Sequence, residues 1–203
     1  ADAENSNERY AIKDVNGKQY VEADREVVKG NDPEEWAGQI TNYINREIRQ
    51  GRDVTVYAAD GDALTITRDT AGKAQFRNKV KLPNGKSRPM TDAEYAVKLR
   101  AEAHIDELTA VSKRGRLDVP DKGRHRIARD GFNYRTAYFK DKIGYYRLTI
   151  SVGKNGNLNT IYNVGKIKEA EFPRRFVAQR PKKKSASDIK IPQTDPSVNN
   201  SIR

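Results

Sequence analysis

Apolar positions along this chain follow two periods, and the residues between them mark where each period stops. In residues 9–24 they alternate around Asn16-Gly17, a pair that takes positive φ at both centres of a type I′ turn, so Tyr10–Asp14 and Gln19–Ala23 read as a hairpin. Asp32 as N-cap, Pro33 at the first helical position and Glu34 and Glu35 in the first turn then start a helix. Its apolar face is Trp36, Ile40, Tyr43, Ile44 and Ile48, and Gly51 ends it. A second hairpin, Asp53–Ala59 with Ala63–Arg68, closes around Asp60-Gly61. Residues 69–89 are polar and rich in turn formers, with a reversal at Asn84-Gly85.

Thr91 and Glu94 have capping-box spacing, and Val97, Ala101, Ile105, Leu108 and Val111 recur at helical intervals. One long helix over residues 91–112 is the expectation. Residues 113–131 are basic and irregular. Three strands follow, at Phe132–Lys140, Tyr145–Gly153 and Asn157–Lys168.

A two-residue turn at Asn155-Gly156 would make paired residue numbers in the last hairpin sum to 311. Ser151 would then face Thr160, Thr149 face Tyr162, and Tyr145 face Lys166, all on one side with Arg147. Tyr146, Leu148, Ile150, Val152, Ile161 and Ile167 would form the apolar side. Helices followed by a strand meander imply an α+β fold, with helices packed on an antiparallel sheet of about four strands. Residues 91–171 would hold that helix and sheet. Residues 1–90 would form an N-terminal hairpin, helix and hairpin region, either within the same core or apart from it.

The chain has 203 residues and a net charge of +11. Residues 172–203 carry 8 basic against 2 acidic side chains, four prolines and no period, and are expected to be a disordered basic tail. The rest of the chain is mildly basic. The basic tail suits a polyanion such as RNA, or serves only to keep the chain in solution. No apolar run is long enough to cross a bilayer as a helix. With no cysteine, disulfides and thiolate chemistry are excluded. The chain begins at Ala1 and its one methionine is Met90, so a piece of a longer polypeptide is expected.

No phosphate-binding glycine loop, nucleophile elbow or HExxH is present, and no metal or cofactor is expected. The two histidines, the many cations and the hydroxyls of the last strands suit RNA cleavage by 2′-hydroxyl attack. A histidine can move the proton, cations can stabilise the phosphorane, and aromatic rings can stack on unpaired bases. His104, at the edge of the helical stripe, and His125, in the basic loop beside Arg124, are the titratable candidates. Without catalysis, the same stock of residues suits a nucleic-acid-binding module. A purely structural domain is the third reading.

Four segments carry a family resemblance: Ala103-His104-Ile105-Asp106-Glu107-Leu108, Gly131-Phe132-Asn133-Tyr134-Arg135-Thr136, Leu148-Thr149-Ile150-Ser151-Val152, and Asn159-Thr160-Ile161-Tyr162-Asn163-Val164-Gly165-Lys166. Together they resemble the nuclease-like C-terminal domains of polyvalent phage and mobile-element proteins and of phage-head-type polymorphic toxins, which belong to the barnase–EndoU–colicin–RelE-like superfamily. The resemblance implies a metal-independent endoribonuclease acting in the cytoplasm, a toxin that cuts RNA, tRNA among its candidate substrates. A toxin of this kind implies a cognate immunity protein. It makes His104 the general acid or base, with Arg135 and Lys166 on phosphate. Thr149, Ser151 and Tyr162 would hold the scissile group, and Tyr134, Arg147, Arg124 and His125 would bind substrate.

Overall fold

The computed structural model describes residues 11–15, 17–24, 26–115 and 132–173. Its order is β1 (Ile12–Val15), β2 (Lys18–Glu22), α1 (Pro33–Tyr43) continued by a π-helical turn (Ile44–Ile48), β3 (Val54–Tyr57), β4 (Ala63–Ile66), α2 (Arg68–Ala74), β5 (Lys79–Lys81) and β6 (Ser87–Pro89). Then come α3 (Asp92–Glu102), α4 (Ile105–Val111), β7 (Lys113–Arg114), β8 (Phe132–Lys140), β9 (Tyr145–Gly153), β10 (Leu158–Ile167) and a 3₁₀ turn (Glu169–Glu171).

The fold is α+β. Six strands form the main sheet in the order β1-β2-β8-β9-β10, with β7 added beside β8. All pairs are antiparallel except β2 with β8, where Val21 lies opposite Phe139 and Glu22 opposite Lys140. The N-terminal hairpin is thus part of the central sheet. The core is one apolar cluster running from Ala11, Val21, Trp36 and Ile40 through Leu99, Ile105 and Leu108 to Phe139, Leu148, Ile150 and Ile161. It draws on both sides of residue 90, so the two regions share a single interior.

Local signals at the helix starts act as the residue types dictate. The Asp32 carboxylate accepts from the Glu34 N–H, and Thr91 and Glu94 satisfy each other's backbone N–H groups. A similar reciprocal cap, Thr67 with Thr70, starts α2, an element hidden within the polar stretch after residue 68. The expected long helix is instead two. Ala103-His104 leaves the helical path, the His104 N–H bonds back to the Ala101 carbonyl, and the His104 carbonyl starts α4 by accepting from Leu108. The break lets α3 pack on α1 and β10 while α4 turns to cover β2, β3 and β8.

Helix α3 is enclosed on most sides rather than along one stripe. Lys98 and Glu102, one turn apart, are both fully buried. The Lys98 ammonium donates to the Ala74 carbonyl at 2.6 Å and lies 3.4 Å from Glu102. Burial pushes the Lys98 ammonium below its ordinary pKa, against the pull of Glu102. The Glu102 carboxylate accepts from the Thr160 hydroxyl at 2.7 Å and the Ile161 N–H at 2.9 Å. Asn78 donates to the Ile161 carbonyl and the Thr70 hydroxyl to the Leu158 carbonyl. Side chains thus occupy backbone groups that the outer edge of β10 would otherwise offer to another strand.

Candidate functional site

Side-chain alternation divides the sheet into two faces. In β8, Ala137 and Phe139 are buried while Tyr134, Thr136, Tyr138 and Lys140 are half-buried. Their partners in β9 divide the same way: Leu148 and Tyr146, both buried, on one face, and Thr149, Arg147 and Tyr145, half-buried or exposed, on the other with the buried Ser151. Helix α4 packs on β8 and β2, and His104 meets Phe139 with ring centroids 6.2 Å apart, which marks the apolar side as the helix side. The opposite side is the open face.

The register of β9 and β10 differs from the expected one at its source. Gly153 donates to the Asn157 carbonyl, and Gly156 has φ +84°, so the connection is a three-residue loop closed by a left-handed glycine. Numbers pair to 310 at Leu158 with Val152, to 311 from Thr160 with Ser151, and to 312 from Asn163 with Thr149. Each step is a register shift, at Asn159 and then at Tyr162. Ser151 therefore faces Thr160 as expected. Thr149 faces Asn163 rather than Tyr162, and Tyr145 faces Ile167 rather than Lys166.

These shifts split the expected constellation. Thr149, Arg147 and Tyr134 belong to the open face, and Tyr162 joins them, its ring centroid 5.6 Å from that of Tyr134. Ser151 shares their parity but is 2% exposed, its hydroxyl donating to the Thr160 carbonyl at 3.2 Å. Lys166 pairs with Tyr146, so it belongs to the helix side at the end of the sheet. Ile167, expected among the apolar set, sits opposite Tyr145 on the open face. Thr160 is buried and its hydroxyl is spent on Glu102.

Arg135 is also on the helix side, opposite Ile150, and is 2% exposed. Its guanidinium donates to Asp60 (both oxygens, 2.7 Å), to Asp62 (2.6 Å), and to the hydroxyl and carbonyl of Ser112 (2.7 and 3.0 Å). Burial raises the Asp60 pKa, but hydrogen bonds and charge from Arg135 and the Arg114 N–H outweigh it and hold the carboxyl below its usual value. Arg135 is a structural clamp with its donors already engaged, not a phosphate ligand.

His104 is 1% exposed, and the sheet separates it from Thr149 and Ser151. Its Nδ1 lies 3.6 Å from the equally buried Glu107 carboxylate, too long for a hydrogen bond, and neither ring nitrogen has a hydrogen-bond partner among the described residues. It cannot reach a phosphate on the open face without the fold opening. Arg124 and His125 lie outside the described residues.

The open face holds residues the sequence reading passed over. Lys113 of β7 pairs with Thr136 and so shares this face. Crossing the sheet, one row reads Lys113, Thr136, Thr149, Asn163; the next reads Tyr138, Arg147, Gly165. Rows are about 7 Å apart and strands about 4.8 Å apart. Lys113 and Arg147 are exposed and form no ion pair among the described residues. The carboxylate paired into this face is Glu22, 3.2 Å from Lys140. Asn159 donates to the Ser151 hydroxyl at 3.0 Å, a contact made by the register shift at Asn159. The signal for Lys113 was its parity with Thr136, which could be read only once β7 was known to be a strand.

No group of three or more potential ligands that could hold a metal ion occurs among the described residues. Comparison of the chain with known protein families, with curated proteins and with solved structures finds no match.

Proposed function

We propose that this protein binds single-stranded RNA across the open face of its sheet. The observation that carries this reading is the grouping on that face of the Tyr134–Tyr162 ring pair with the cations Lys113 and Arg147, which form no ion pair among the described residues. Tyrosine rings stack on bases that are not already stacked in a duplex, and cations track the phosphates. Thr136, Thr149 and Asn163 lie between them and can hydrogen-bond a ribose 2′-hydroxyl. The overall charge of +11 adds a long-range attraction for any polyanion.

Endoribonucleolytic cleavage is the second reading, favoured by the Thr149 hydroxyl one row from Arg147 and the Tyr162 phenol on the same face. It has to work without His104, so proton transfer falls to His125 or to the phenols of Tyr134 and Tyr162. An immunity protein, under this reading, would cover the same basic face.

One experiment addresses both. The full chain is incubated with labelled single-stranded RNA in excess EDTA, and retention and cleavage are followed as salt is raised. Salt-sensitive retention of intact RNA is the expected result. Cleavage that survives His104→Ala but not His125→Ala would select the second reading. Absence of both retention and cleavage at moderate salt would remove both.

A further inference from the structure

At one end of the open face lies a cavity of about 700 Å³. Its aromatic wall comes from Tyr20, Tyr145 and Phe172. Phe172 is 5% exposed and held by three tyrosines: Tyr20 at 4.8 Å, Tyr145 at 4.9 Å and Tyr138 at 5.9 Å between ring centroids. It is a fixed post, against which Tyr20 and Tyr145, both half-exposed, are set at steep angles. Rings whose positions are locked by packing offer stacking area at little entropic cost.

Cations complete the cavity. Lys13 is exposed and in no ion pair among the described residues, and Lys140 stands 5.7 Å above the Tyr145 ring. Two carboxylates, Asp14 and Glu169, also line it, and Lys140 is already paired with Glu22 at 3.2 Å, so the site carries no excess of positive charge. A multiply charged phosphate chain would meet more repulsion than attraction there. One phosphate, held by the exposed Lys13 with Lys140 shared between it and Glu22, meets the least.

The cavity is continuous with the open face. Lys140 and Tyr145 form the row next to Tyr138 and Arg147, about 7 Å further along. A single strand lying over Tyr134, Thr136 and Tyr138 reaches the cavity within a few nucleotides.

We infer that this cavity is a mononucleotide subsite, taking one base against the Tyr20 and Tyr145 rings and its single phosphate on Lys13 and Lys140. The choice of a nucleotide as ligand rests on the RNA-binding reading; the preference for a monophosphate rests on the cavity's own charge balance.

The test is an amide-shift titration of the isotope-labelled full chain with 5′-AMP, with ATP, and with a 2′-O-methyl octanucleotide that resists cleavage. AMP is expected to shift Lys13, Tyr20, Lys140, Tyr145 and Phe172. Tyr145→Leu, which keeps bulk but removes the ring, should weaken AMP about tenfold, and the exposed Lys13→Ala about threefold. Lys86→Ala, on a distant turn, should leave it unchanged. ATP is expected to bind no tighter than AMP; tenfold tighter binding would overturn the monophosphate assignment. If the octanucleotide shifts the open face while AMP shifts nothing in the cavity, the subsite is refuted and the RNA-binding reading stands. If AMP shifts the cavity but the octanucleotide leaves Tyr134 and Tyr162 unmoved, the reading fails and the nucleotide subsite stands.

Discussion

The Arg135 guanidinium grips the Asp60 carboxylate through both oxygens at 2.7 Å, joining the β3–β4 turn to the helix side of the main sheet. Arg135→Ala would leave two carboxylates facing each other without their shared cation. A loss of about 3 kcal/mol is expected, at the low end for a buried pair because Asp60 and Asp62 are partly exposed. Urea unfolding measures it. RNA retention at a temperature where the variant stays folded should match the parent.

His104 gives the opposite expectation to a catalytic residue. Its ring is buried 3.6 Å from the equally buried Glu107 carboxylate, so an apolar side chain there relieves the desolvation of the ring but removes the polar group that faces Glu107. His104→Leu should fold, lose about 1 kcal/mol or more of stability, and bind RNA equally well. Denaturant midpoints and a binding isotherm check both. A selective loss of RNA affinity or cleavage with the fold intact would put His104 back in the site.

On the open face, Tyr162→Leu should weaken single-stranded RNA about tenfold, the effect of one lost stacking platform. Arg147→Ala should weaken it at every sequence and lower the slope of log affinity against log salt by about 1. Binding isotherms at several salt concentrations separate the two, since losing a ring leaves that slope nearly unchanged.

The buried Lys98–Glu102 couple calls for paired substitutions. Lys98→Met strands a carboxylate in the core and should cost about 3 kcal/mol or more. Adding Glu102→Gln should recover a large part of that loss, because the amide oxygen can still accept from Thr160 and Ile161. A double-mutant cycle by urea unfolding gives the coupling. Additive losses would show that the two side chains do not act as a pair.

Acid sensitivity has an assigned contributor. Hydrogen bonds from Arg88 lower the Glu94 carboxyl from 4.5 to about 2, against the opposing effect of burial and with help from the Thr91 N–H. Its folded value is depressed, so its stabilisation is complete above about pH 4.5 and drains away as pH falls toward 2. Glu94→Gln should be less stable than the parent at neutral pH and converge with it near pH 2. Thermal midpoints across that range test the sign.

The capped helix starts were legible because a cap is a local event: Asp32, Thr91 and Glu94 find their partners within three residues. The hairpins were legible for the same reason. The break at His104 was not, since neither glycine nor proline marks it; it is set by what α3 and α4 each have to cover. The register shifts in β10 were also out of reach. One begins in a turn whose length the Asn-Gly pair leaves ambiguous, and the backbone groups they displace are met by Asn78 and Glu102 from distant elements. Arg135 could have been placed correctly. It shares parity with Ala137 and Phe139, which marks it as inward, and the Asp60-Gly61-Asp62 turn carried the carboxylates that an inward arginine needs. Thr149, Ser151, Arg147 and Tyr162 were put on one face by an assumed turn register together with alternation, Tyr134 entered through the family resemblance, and Lys113 was hidden by a strand of two residues.

The parallel seam between β2 and β8 joins parts of the chain that are made far apart in time. Glu22 and Lys140, bridged at 3.2 Å, are separated by 118 positions. When the first hairpin leaves the ribosome its neighbour in the sheet does not yet exist, and α3 emerges with Lys98 and Glu102 before β10 can receive them. Assembly therefore waits for the last third of the chain, and the entropy of closing so long a loop is met late. Refolding limited by this closure should be slow for the chain's size, and the unfinished polypeptide carries an uncovered apolar helix layer until synthesis passes β10.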